Sequence, residues 1–77
     1  MKSKVIEILE DITGISPIDE NADLIKDGIL DSLAFIEFIN EVDDRIGIEI
    51  QPTQVDADVW HSIDRIADML ENYLAVH

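Results

Sequence analysis

The stretch Asp27-Gly28-Ile29-Leu30-Asp31-Ser32-Leu33 holds the residues of this chain most suited to chemistry. It ends a loop and opens a helix, and it puts one hydroxyl at the helix mouth. No preceding turn covers a side chain there. The first N–H groups of a helix lack internal partners, and the positive end of its dipole favours an anion nearby. A phosphodiester formed on Ser32 Oγ would gain roughly 0.3–1 kcal/mol from that field. Asp31 is a good N-cap, its carboxylate placed to accept from first-turn N–H groups. The plainer reading of Ser32 is that it only helps to cap the helix.

The surrounding elements follow from apolar spacing. Val5, Ile8, Leu9 and Ile12 predict a helix from Ser3 to Thr13, stopped by Gly14. From Ile15 to Leu30 the period fails, and Pro17, Asp19, Asn21, Asp23 and Gly28 mark a long connection. Loops of that length in a small domain are uncommon and often functional. Its apolar residues (Ile15, Ile18, Leu24, Ile25, Ile29, Leu30) predict packing across the helices. A second helix is expected from Asp31-Ser32 to Ile46, with Leu33, Ile36, Ile39, Val42 and Ile46 as its inward stripe and Phe35 and Phe38 beside it. Gly47 ends it. Ile48-Glu49-Ile50 reads as an extended connector rather than a strand. Thr53 to Val59 holds one short helical turn, with Trp60 in or just after it. Ser62 caps a last helix whose buried stripe is Ile63, Ile66, Ala67, Leu70, Tyr73 and Leu74. The fold class is all-α: a small four-helix bundle of three main helices and one short one, with a long first loop.

Composition narrows the function. Seventy-seven residues predict one domain, 1–77, with a stability of a few kcal/mol. There is no Cys, so no disulfide or thiolate metal site is available. Eighteen acids against five bases leave a net charge of −13, which excludes ordinary nucleic-acid binding and favours basic protein partners. No apolar run approaches a membrane span, and acids interrupt the N-terminus too early for a signal peptide. A cytoplasmic monomer is expected, without direct membrane insertion. His61 and His77 have no matched ligand set for a metal.

The segment from Asp27 to Ile50, in a chain this short and acidic, resembles the acyl and peptidyl carrier protein family, whose second helix opens on Asp-Ser-Leu or a similar triplet. The resemblance covers nearly the whole chain, including the Gly-Ile-Glu-Ile passage at 47–50. Val55-Asp56-Ala57-Asp58-Val59-Trp60-His61-Ser62 is similar to the region before the last helix of the D-alanyl carrier branch, and the opening Asp-Gly-Ile-Leu-Asp-Ser-Leu is similar to theirs as well. The resemblance implies an acyl carrier fold. It also implies that a phosphopantetheinyl transferase, using coenzyme A and magnesium, attaches 4'-phosphopantetheine to Ser32, flanked by Asp31 and Leu33. The arm's thiol would hold cargo as a thioester, loaded by a ligase and passed to an acceptor acyltransferase that can be membrane-bound. The implied cargo is D-alanine for teichoic acid. Acyl groups of fatty acid, polyketide or peptide biosynthesis are the alternative. The chain would be a substrate rather than an enzyme, since no general base stands near Ser32 in the motif.

Glu37, Glu41 and Asp44 share a face at i, i+4 and i+7, either a docking patch for basic partners or a solvated helix face. Leu33 and Ile36 offer apolar contact to partners or to the arm, although Ile36 also fits the core. Trp60 reads as a plug near the short helix, with partner contact as the alternative. Two further readings compete. An EF-hand loop starting at Asp19 aligns Asp19, Asn21 and Asp23, but Leu24 and Leu30 then occupy its Gly and Glu positions. An unmodified acidic adaptor would use the same charge without needing Ser32.

Overall fold

The computed structural model describes residues 1–76, with no side-chain description for Val76; His77 lies outside the described residues. Helix α1 spans Lys2–Thr13, α2 spans Ser32–Ile46 and α3 spans Ile63–Val76. Two 3-10 turns, Pro52–Gln54 and Ala57–His61, lie between α2 and α3. In place of the one short turn expected within Thr53–Val59 there are two, and the second includes Trp60. Residues 48–50 carry neither helix nor strand, and no strand occurs among the described residues. α1 packs against both α2 and α3, and the second 3-10 turn packs on α3. No helix among the described residues is long and apolar enough to cross a membrane.

The core is entirely apolar. Val5, Ile8, Leu9, Leu24, Phe38, Val42, Ile63, Ile66 and Leu70 have essentially no accessible surface. Gly47 ends α2 with φ at 81°, a left-handed conformation that glycine adopts without steric cost.

Two expected stripes are corrected. On α2 the buried residues are Ala34, Phe38 and Val42, while Leu33 is 68% and Ile36 57% exposed. An α-helix turns about 100° per residue, so steps of three fall about 60° short of a full turn. Leu33, Ile36, Ile39 and Val42 therefore wind around half the helix instead of lining one face. The set that faces inward is centred on Phe38, whose ring fills the most space, and it includes the small Ala34, which borders a recess shared with Ile12 and Thr13 of α1. On α3, Ile63, Ile66, Ala67 and Leu70 are buried as expected, but Tyr73 is only half-buried and Leu74 is 52% exposed.

The long first loop is tied down at both sides. The Ile18 N–H donates to Glu10 Oε2 at 3.1 Å, and Thr13 Oγ1 accepts from the Ile15 N–H at 3.2 Å. Asp23 Oδ1 accepts from the Lys26 N–H at 3.0 Å and meets His61 Nδ1 at 2.7 Å. The Leu24 N–H donates to the His61 carbonyl at 2.9 Å, and the Leu30 N–H closes back on the Leu24 carbonyl at 2.9 Å. Ile18, Leu24 and Leu30 are buried beneath these bonds. The loop thus reaches Asp31 as a fixed lead-in to α2.

The Asp23 carboxyl is held below its ordinary value, first by the Lys26 N–H, with desolvation opposing it next and the His61 contact lowering it further. A folded pKa below the unfolded one contributes stability above the unfolded value and loses it as pH falls through the folded value. Asp23→Asn keeps an acceptor for Lys26 but loses the charge. Its stability deficit, measured by urea denaturation against Asp27→Asn as a control for net charge, should be present at neutral pH and close below the ordinary carboxylate value of 3.8. The facing of the helices gives a second expectation. Leu70→Ala should cost about 2–5 kcal/mol, whereas Leu33→Ala should change stability by no more than about 0.5 kcal/mol.

Candidate functional site

Asp31 and Ser32 stand at the junction that the loop fixes. Asp31 has extended backbone, and its Oδ1 accepts from the Ala34 N–H at 2.8 Å. Its carbonyl accepts from the Phe35 N–H at 2.8 Å, starting the helical ladder. The expected cap is therefore present, and the Asp31 carboxylate is engaged in it.

Ser32 is exposed. Among the described residues its hydroxyl has no hydrogen-bond partner, and the N–H groups of Ser32 and Leu33 have no acceptor. An open hydroxyl therefore sits beside two unused donors at the positive end of a 15-residue helix. This environment fits a phosphodiester on Ser32, because the two donors match phosphate oxygens.

Two recesses flank the residue. On one side, Ile25, Leu30, Phe35, Ile36, Trp60 and His61 line an open groove of about 680 Å³ that also reaches Ser32. On the other, Leu33, Ala34 and Glu37 face Ile12, Thr13 and Ile15 across a smaller recess of about 210 Å³. Gly28 and Asp31 border both recesses, and Ser32 lines the larger one, so an attached arm has an apolar groove alongside it. Trp60 is buried and forms the groove floor, in agreement with the plug reading.

The three acids on the exposed face of α2 differ in their surroundings. Glu37 borders the small recess near Ser32. Glu41 Oε2 accepts from Arg45 Nε at 2.7 Å, and Arg45 Nη1 reaches Asp11 Oδ2 at 2.7 Å. Arg45 is held above its ordinary value by Asp11 and then Glu41. Asp44 is exposed, with no ion pair among the described residues. Ile36 is on the surface at the groove, not in the core.

Ile15 and Ile25, expected to pack across the helices, are instead 45% and 42% exposed, and Ile25 lines the groove beside Ser32. Sequence reasoning missed the pairing of Asp23 with His61. An Asp three residues before Lys26 has the spacing of a side-chain cap on a short turn, which signals its bond to the Lys26 N–H but not its contact with His61. Asp19 Oδ1 likewise accepts from the Asn21 N–H at 2.9 Å. The two carboxylates that mimicked a calcium loop are thus occupied with backbone turns. No group of three or more metal-ligating side chains occurs among the described residues.

The family described as "Phosphopantetheine attachment site" matches residues 3–70. The chain is 34% identical over 73 residues to a D-alanyl carrier protein of Enterococcus faecalis, covering 92% of this chain and 94% of the relative. A D-alanyl carrier protein of Listeria monocytogenes is 32% identical over 72 residues, covering 91% and 92%. One of Lactococcus lactis is 33% identical over 69 residues, covering 87% of each. Members of such a family bear covalent 4'-phosphopantetheine and are worked on by partner enzymes rather than being enzymes themselves. With the match running from α1 into α3 and across the exposed serine at the head of α2, the chain belongs to the phosphopantetheine attachment family.

Proposed function

We propose that Ser32 is the attachment residue and that this chain, acting as one carrier domain in the cytoplasm, delivers D-alanine. The observation that carries the reading is the exposed, unbonded Ser32 hydroxyl at a capped helix start, beside an apolar groove. The relatives' names as D-alanyl carrier proteins support the cargo. The bound arm supplies a thiol that holds cargo as a thioester. In attachment, Ser32 Oγ attacks the β-phosphorus of coenzyme A. The Oγ–P bond forms, the bond to the adenosine bisphosphate breaks, and the hydroxyl proton leaves to a base of the transferase. The chain's own part is to present the hydroxyl, steady it with the Asp31 cap and offer the Ser32 and Leu33 N–H groups to the phosphate.

The partners in this reading are a phosphopantetheinyl transferase, an ATP-dependent ligase that loads D-alanine, and a membrane acyltransferase that passes it towards teichoic acid. Glu37, Glu41 and Asp44 with Ile36 form the docking face for basic partner surfaces. Charge complementarity of this kind acts mainly on encounter rates and weakens with salt.

Intact mass after incubation with coenzyme A, magnesium and a broad-specificity transferase tests the attachment. One phosphopantetheine should add to wild type and none to Ser32→Ala; addition to the variant would overturn the assignment. The cargo is tested by offering the modified protein, ATP and the D-alanine ligase a choice of D-alanine or L-alanine. Glu37→Lys should slow the transferase reaction several-fold at low salt, with the gap shrinking as salt rises. Equal rates at low salt would remove Glu37 from the docking face. Glu41 is the poorer test position, since its reversal would also break the Arg45 pair.

A further inference from the structure

Three aromatic rings connect the groove beside Ser32 to the centre of the bundle. Phe35 and Trp60 both line the groove. Their rings meet edge to face, with centroids 4.8 Å apart and planes at 88°. Behind them Phe38, with no accessible surface, meets Trp60 edge to face at 6.5 Å. Beyond Phe38 the interior is filled by residues including Leu9, Leu24, Val42 and Leu70, all without accessible surface.

We infer that the Phe35–Trp60–Phe38 stack closes the bundle beneath the groove, so that cargo on Ser32 stays in the groove and solvent and a long acyl chain gains no shelter in the core. The inference rests on Ser32 as the attachment residue. A chain of methylenes gains from entering an apolar core. To enter here it must part the edge-to-face contacts and displace side chains from a close-packed interior, which overpacks it. A short aminoacyl group has no such interest in the core, because its ammonium loses hydration on burial. The exposed Ile36 and Ile25 at the groove rim give the arm apolar contact without any opening of the bundle. The stack thus withholds shelter from a long acyl chain and costs a small polar cargo nothing.

The test attaches acetyl, D-alanyl and octanoyl pantetheine amides to Ser32, using the corresponding coenzyme A amide analogues and a permissive transferase, with attachment checked by intact mass. Methyl resonances and thermal midpoints are then compared between forms of the same protein. In wild type, the step from acetyl to octanoyl should move only groove methyls such as Ile25 and Ile36, leaving Leu9, Val42, Leu70 and the melting temperature unchanged. In Phe35→Ala, the octanoyl form should move those core methyls and melt a few degrees above its own acetyl form. Phe35→Leu gives a milder opening if the alanine variant does not fold. Core shifts and a raised melting temperature in octanoyl wild type would overturn the proposal. So would a folded Phe35 variant that responds to octanoyl no differently from wild type. Absence of any mass gain would instead overturn the attachment reading, and the inference with it.

Discussion

Leu24 has no accessible surface, and both of its backbone polar groups are bonded, the N–H to the His61 carbonyl and the C=O from the Leu30 N–H, each at 2.9 Å. The position of Ser32 depends on this pin. The connection between α1 and α2 is long, and ordering it costs conformational entropy at every residue. Burying one leucine would not hold so many residues. Tying its amide to the short 3-10 turn and its carbonyl to the end of the loop makes the loop, the turn and the start of α2 one packed unit. The Asp23–His61 contact and the Asp31 cap extend the same unit on either side. The hydroxyl proposed for attachment is therefore presented from fixed backbone, although it projects into solvent.

Charge sets a second constraint. With eighteen acids and five bases the chain repels itself. Two of its bases bridge separate elements. Lys2 reaches Asp64 at 2.8 Å and Glu20 at 3.5 Å, joining the start of α1 to α3 and the loop. Arg45 joins α2 to α1 through Asp11 while also holding Glu41. Exposed pairs of this kind are individually weak. Here they stand where acids of neighbouring elements would otherwise face one another, and they leave Glu37 and Asp44 to give the outer face of α2 its negative field.

Much of this was legible in the sequence. The bounds of α2, its Asp31 cap and its Gly47 stop were readable because caps and left-handed stops are local, set by one or two residues. The long loop was readable from its broken period. The inward face of α2 was not. Leu33 and Ile36 are large and apolar and so drew the stripe towards themselves, while Ala34 packs inside on the strength of its smallness. Facing is a tertiary property, fixed by how near α1 approaches, and a list of apolar residues does not contain that distance. The His61 contact was unreadable for the same reason, as it joins residues 38 apart in the chain. Ser32 was singled out through a family resemblance, since a lone serine at a helix start is ambiguous on physical grounds alone.

The geometry also explains why the chemistry must come from partners. A serine hydroxyl becomes a strong nucleophile when a base stands within hydrogen-bond reach and a third group orients that base. Asp31 is the adjoining carboxylate, and its Oδ1 is committed to the Ala34 N–H. His61 lines the same groove as Ser32, but its Nδ1 faces Asp23. Ser32 is left with unused N–H donors that suit a phosphate already formed and with no basic group of its own to start the attack. An activated serine at such an exposed position would invite reaction with any electrophile. An unactivated one reacts only where a partner brings the base, in keeping with the proposed docking of that partner on the acidic face of α2.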